Sequence, residues 1–133
     1  MEAKLGKKAR TLSSQELSRL MIDCVLEKKG KDVVELDMRE LTEAFCDYFV
    51  ICHCTSTTQV KAVANFIAYK FKTEAGEFPI CQEGMKNAEW VLVDFGSVVA
   101  HIFLKDRREF YQLEDLWGDA KITAYSDEGD PIV

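Results

Sequence analysis

The residues of this chain that could carry chemistry are few and poorly assembled. Cys52-His53-Cys54 places metal-ligating types in close order. A zinc site, however, needs a second ligand pair far along the chain, and none is spaced for it. On a strand His53 would also point to the face opposite Cys52 and Cys54. The five cysteines (Cys24, Cys46, Cys52, Cys54 and Cys81) form no disulfide framework, so reduced thiols are expected. His101 lies in an apolar run with no carboxylate or nucleophile placed to work with it, and reads as a structural histidine whose ring bonds a neighbour. Asp47 precedes another apolar run, where a carboxylate that satisfies the turn is favoured over a metal ligand. Asp94-Phe95-Gly96 matches the metal-binding triplet of protein kinases, but no glycine-rich loop, strand lysine or catalytic loop accompanies it, so it reads as a hairpin turn. Neither G-x-x-x-x-G-K-[ST] nor G-x-G-x-x-G is present to cradle phosphate. The expectation is a protein with no catalytic residue, no metal and no cofactor, and not an enzyme.

Composition narrows the partners. In 133 residues, 47% are hydrophobic and 30% charged, which suits one globular core. The net charge of −6 argues against primary binding of nucleic acid, which normally needs a basic excess. Lys4, Lys7, Lys8 and Arg10 make a short basic cluster, expected to be a flexible tail over residues 1–12 rather than an RNA-binding arm. No apolar run approaches the roughly 20 residues that cross a bilayer, and the basic start lacks the apolar region of a signal peptide. A cytoplasmic protein with no membrane partner is expected.

The elements that must position these residues follow from periodicity. Ser13 and Glu16 fit a capping box, and Leu17, Leu20, Met21, Cys24 and Val25 then recur at helical spacing until Lys28-Lys29-Gly30. Val33–Leu36 reads as a strand, followed by a polar connection over 37–45. Tyr48–Cys52 is a continuous apolar run rich in strand formers, expected at the middle of a sheet and covered on both faces. Residues 55–58 cap a second helix that carries Val60, Val63, Ala64, Ile67 and Phe71 on one face and stops near Gly76. Phe78–Cys81 contains Pro79 and suits an edge strand. Trp90–Asp94 and Val98–Phe103, joined by a short turn with Gly96, form a hairpin. Phe110, Leu113 and Trp117 at helical spacing predict a short helix over 107–117, and an acidic tail is expected over residues 122–133, frayed at Ser126-Asp127-Glu128-Gly129-Asp130. The order predicts an α/β fold with a mixed sheet flanked by helices and a single domain over 13–121.

Alternation along the hairpin puts Trp90, Leu92 and Asp94 on one face and Val91 and Val93 on the other. Two amphipathic helices leave part of such a sheet uncovered. Trp90, a Phe95 expected at an exposed tip, Tyr111 and Trp117 are of the types that dominate binding hot spots. Taken alone, each fits an ordinary core role as well, Trp117 best because it shares a helical face with Phe110 and Leu113.

Taken together, Asp47-Tyr48-Phe49-Val50-Ile51, Ser56 with Gln59-Val60, Glu83-Gly84, Trp90-Val91-Leu92-Val93-Asp94-Phe95-Gly96, Val99 with His101-Ile102-Phe103, and Arg107 followed by Phe110-Tyr111, Leu113-Glu114 and Leu116-Trp117 resemble the RsfS/Iojap family in order and spacing over about residues 14 to 121. Cys54 and Asn65 depart from the family's common glycine and aspartate. The resemblance implies a nucleotidyltransferase-like fold without that class's catalytic Gly-Ser and Asp-x-Asp motif. It implies a ribosomal silencing factor that binds the large subunit through large-subunit ribosomal protein fourteen, blocks joining of the small subunit and represses translation when nutrients are short. Trp90, Asp94, Phe95 and Gly96, with Tyr111 and Glu114, would be the partner-binding residues, and Gly84 and Gly96 would shape the loops that present them. An exposed aromatic face could also pair with itself as a homodimer when the protein is free.

Two other functions fit less well. One is a large-subunit assembly factor, a role known in organellar relatives. The other is a divergent metal-dependent nucleotidyltransferase using Asp37, Asp47 and Asp94. Calorimetry with magnesium nucleotide separates the last from the rest: no heat of binding is expected, and saturable binding would reopen the enzyme.

Overall fold

The computed structural model describes residues 11–132. Helix α1 (Ser14–Glu27) opens with a reciprocal cap, in which the Ser13 hydroxyl accepts from the Glu16 N–H at 3.1 Å and the Glu16 carboxylate accepts from the Ser13 N–H at 2.9 Å. Such a cap contributes about 1 kcal/mol. The helix buries Leu17, Met21, Ile22, Cys24 and Val25. Strand β1 (Lys31–Asp37) leads through a loop to β2 (Tyr48–Cys54), every residue of which is buried. Helix α2 (Thr57–Lys70) is capped by the Ser56 hydroxyl and runs into a π-helical turn, Phe71–Ala75. Then come β3 (Cys81–Glu83), β4 (Trp90–Asp94), β5 (Val98–Leu104), α3 (Lys105–Tyr111), α4 (Leu113–Leu116), β6 (Lys121–Tyr125) and β7 (Pro131–Ile132).

The seven strands form one mixed sheet in the order β3-β4-β5-β2-β1-β6-β7, with β2 at its centre, parallel to β5 and antiparallel to β1. The two faces are covered unequally. Helices α1 and α2 pack on one, over Val50, Cys52, Cys54, Val91, Val93, Ala100 and Ile102. The other carries a smaller cluster of Leu36, Met38, Phe49, Ile51, Val99, Phe103 and Leu113, beneath only the β1–β2 loop and the short α3 and α4. The expected α/β class, the central strand, the hairpin and the edge position of β3 are all present.

Four expectations change. β3 begins at Cys81, and Phe78 and Ile80 are exposed; Pro79 has no N–H to give a ladder, and pairing starts with the Ile80 N–H on the Asp94 carbonyl at 2.7 Å. The predicted helix over 107–117 is two helices, broken at Gln112, whose φ is +46°. The break rotates Phe110 out to solvent while Leu113 stays buried, so the two do not share a face.

The third concerns the C-terminal segment, which does not fray. Strand β6 pairs antiparallel with β1, and β7 folds back on β6 through a turn in which the Ser126 hydroxyl accepts from the Glu128 and Asp130 N–H groups. Arg19 of α1 donates to the Gly129 carbonyl at 3.0 Å and lies over the Tyr125 ring. The folded unit therefore continues past residue 121. At the other end a tail is expected over residues 1–12, but Leu12 packs against the core; residues 1–10 lie outside the described residues.

Finally, Phe95 is not an exposed tip. Its ring is buried, 5% exposed, and stacks on Phe71 of the π-helical turn with centroids 4.1 Å apart. The turn at Gly96, φ +93°, aims the ring toward the helix layer. Phe95→Ala should therefore lower unfolding free energy by about 3–5 kcal/mol in urea titration, as truncation of a buried phenylalanine does. A loss under 1 kcal/mol would place the ring outside the core.

Candidate aromatic docking face

The alternation of β4 holds: Val91 and Val93 are fully buried beneath the helices, whereas Trp90, Leu92 and Asp94 are half-buried on the opposite face. β5 and β2 set their own aromatic rings beside Trp90 on that face. The Trp90 indole N–H donates to His101 Nδ1 at 3.1 Å, and the indole stacks on Phe103 at 4.9 Å and lies 4.6 Å from the Tyr111 ring. His101 in turn meets Phe49 edge-on at 4.5 Å. Phe49 continues to Trp117 at 6.0 Å and to Phe45 at 6.3 Å. The result is an unbroken chain of ring contacts across the sheet, with Phe110 and Tyr111 at one end and Phe45 and Trp117 at the other. Phe45 and Phe110 are more than 70% exposed and Tyr111 43%. Rings held by one another at the surface are pre-organised for contact, which lowers the entropy lost on binding.

Arg108 fixes the end of this face that α3 carries. Its guanidinium donates to the Asp32 carbonyl at 2.7 Å, to the Glu114 carboxylate at 2.8 Å and to His53 Nδ1 at 3.1 Å. One side chain thus ties α3 and α4 to the start of β1 and the end of β2. Since Arg108 donates to Nδ1, His53 is neutral in this arrangement, and burial together with the Arg108 charge holds its pKa below the usual value. Sequence reasoning missed Arg108; its only signal was a second arginine after Arg107 in the family-like block.

The six residues expected to bind a partner are therefore not one patch. Trp90 and Tyr111 lie on the aromatic face. The Glu114 carboxylate is committed to Arg108. Asp94 accepts from the Gly96 N–H at 2.7 Å and shapes the hairpin turn. Phe95 supports that turn from the buried side. Gly84 is required outright: with φ +88°, a Cβ there would stand 2.0 Å from the Trp90 carbonyl oxygen. Phe49 and Phe45, which sequence reasoning did not assign to the site, complete the band.

Two of the three carboxylates weighed for catalysis, Asp37 and Asp94, are engaged in hydrogen bonds of their own. Asp37 forms a bidentate pair with Arg39, whose hydrogen bonds hold the Asp37 pKa below the carboxylate norm. Cys52 and Cys54 are buried under the helices while His53 faces Arg108, the opposite orientations expected of alternate strand positions. Among the described residues no group of three or more His, Cys, Asp or Glu side chains could hold a metal, and no helix is long and apolar enough to cross a membrane.

Comparison with known proteins shows the family. Residues 11–131 match the family model described as "Ribosomal silencing factor during starvation". That match reaches β7, so the C-terminal hairpin belongs to the family's domain. A ribosomal silencing factor RsfS from Halalkalibacterium halodurans is 44% identical over 109 residues, 82% of this chain and 92% of that protein. A crystal structure of a Chromobacterium violaceum protein superposes with a TM-score of 0.76 at 42% identity, covering 80% of this chain and 88% of that one. The mouse protein "Mitochondrial assembly of ribosomal large subunit protein 1" is 39% identical over 75 residues, 55% of this chain and 33% of its own length.

His101 makes a testable contribution to stability. Its Nδ1 accepts from Trp90, which leaves the ring proton on Nε2, and that atom is buried without a hydrogen-bond partner among the described residues. Burial pushes its pKa down to about 4, below the ordinary 6.5. Between these values the unfolded chain binds a proton that the folded chain does not, so the stabilisation is complete above pH 6.5 and is lost as pH falls toward 4. The loss is about 3 kcal/mol. Urea titrations across this window should show the stability difference between wild type and His101→Gln shrinking by that amount as the solution is acidified. A difference that stays flat would mean that the ring is protonated in the fold at no cost.

Proposed function

This chain belongs to the family of ribosomal silencing factors, and from that membership we propose that it binds the large ribosomal subunit and prevents the small subunit from joining it. The observation that carries the reading is the pre-organised aromatic band on the sheet face that the long helices leave open. The partner is large-subunit ribosomal protein fourteen, met by Trp90 and Tyr111, with Asp94, Gly96 and Gly84 holding the hairpin in the shape that presents Trp90.

Inhibition on this reading is steric. A bound domain of 15.2 kDa occupies the space of a bridge between the subunits. It needs affinity and placement but no bond-making step, which makes the protein a regulator rather than an enzyme and lowers translation when nutrients are short. The charge of −6 fits a basic ribosomal protein as partner and opposes indiscriminate binding to RNA phosphate. The site of action is the cytoplasm. When the ribosome is absent, the same apolar band can be covered by a second copy of the chain. The mouse relative's name favours a second reading, large-subunit assembly, in which the same face engages an immature particle.

Sedimentation with separated subunits tests both. Wild type should travel with the large subunit and reduce joining when added before the small one. Trp90→Ala should weaken that binding by about 1–3 kcal/mol, roughly 5- to 150-fold, with circular dichroism confirming that the variant is folded. Association with precursor particles, and accumulation of precursors on depletion, would favour assembly over silencing. Wild type bound to neither subunit nor precursor would overturn the function.

A further inference from the structure

The Phe45 end of the aromatic band opens into a groove of about 670 Å³ between the β1–β2 loop and the segment that follows α4. Leu116, 73% exposed, and the half-buried Trp117 supply its apolar surface, and Glu40, Glu43, Asp115 and Asp119 stand around it. No lysine or arginine lines the groove. None of the four carboxylates makes a side-chain hydrogen bond or ion pair among the described residues, in contrast to Glu114 and Asp37, each held by an arginine. Four carboxylates with no basic side chain among the lining residues make the groove complementary in charge to a cation. The apolar surface selects among cations. A guanidinium can lie over an indole, bond carboxylates in bidentate fashion and rest its aliphatic stem on leucine.

We infer that this groove is a second docking subsite, which takes an arginine-bearing segment of a partner protein. The inference rests on the ribosome-binding reading and deepens it, because the groove continues the same band through the contacts of Trp117 with Phe45 and Phe49. The two subsites divide the work. The Trp90 end is apolar and supplies the gain from desolvation. The Leu116–Trp117 end is acidic and fixes which way a basic partner lies along the band, while the uncompensated charge repels RNA phosphate.

Two arms test the subsite. In NMR titration of the full chain with a hexa-arginine peptide, the Trp117 indole and the backbone signals of Glu43 and Leu116 should shift and saturate. A hexa-glutamate peptide should shift nothing, and Asp115→Asn combined with Asp119→Asn should remove the effect. Shifts that map elsewhere, or that survive the double substitution, overturn the inference whatever the ribosome does.

In the second arm the same double variant should bind large subunits about three- to tenfold more weakly at low salt, with the gap closing as salt screens the charges. Equal binding overturns the subsite, and tighter binding does so by showing that RNA phosphate faces the groove. Wild type that fails to bind subunits, yet passes the peptide arm, would count against the ribosomal reading and not against the groove.

Discussion

β2 lies at the centre of the sheet with all seven residues buried, and most of the structure is arranged to keep it so. A strand with both faces apolar must be flanked on two edges and roofed on two sides. β1 and β5 close its edges, one antiparallel and one parallel. The parallel pairing forces a long crossover, which here carries α2 and the β3–β4 pair before the chain returns as β5. The first roof, α1 and α2, is long, capped and continuous. The second is made of a loop and two short helices, and it is incomplete.

That incomplete roof is the source of the candidate site. The residues that seal β2 on this side, Phe49 and Ile51, cannot be covered by α3 and α4 alone, so aromatic side chains from β4, β5, the β1–β2 loop and the C-terminal helices cover one another. Aromatic rings suit this position because they bury large areas with little rotamer entropy to lose. The outermost of them remain partly in water. The same contacts therefore finish the core and leave an aromatic face open, which explains why Trp90 is half-buried rather than free.

Polar groups then lock this arrangement. Arg108 joins two short helices to two strand ends, and it does so at partners up to 77 positions away. The Trp90–His101 hydrogen bond orients the indole on the sheet, and the hairpin that carries it is shaped by the Asp94–Gly96 contact above and by Phe95 stacked on Phe71 below. Phe95 and Trp90 lie five residues apart and on opposite sides of the sheet. One supports the fold and the other faces outward.

Much of this was determined by the sequence alone. The caps of α1 and α2, their apolar faces, the central strand and the β4–β5 hairpin are all local, written in a period of 3.6 or 2 and in capping residues within four positions of one another, so the α/β class and the family-like blocks could be read directly. The remainder depends on contacts between residues far apart in the chain. Lys121–Tyr125 carries the strand formers Ile122, Thr123 and Tyr125, but it becomes a strand because β1 offers it an open edge, and nothing local names that partner. Phe95 turns inward because Phe71 waits beneath it. Glu114 turns from a candidate contact into an anchor because Arg108 reaches it across a helix break. The aromatic band exists only once β2, β4 and β5 lie side by side, since local periodicity fixes the face a residue takes on its own strand but not the strands that will stand beside it.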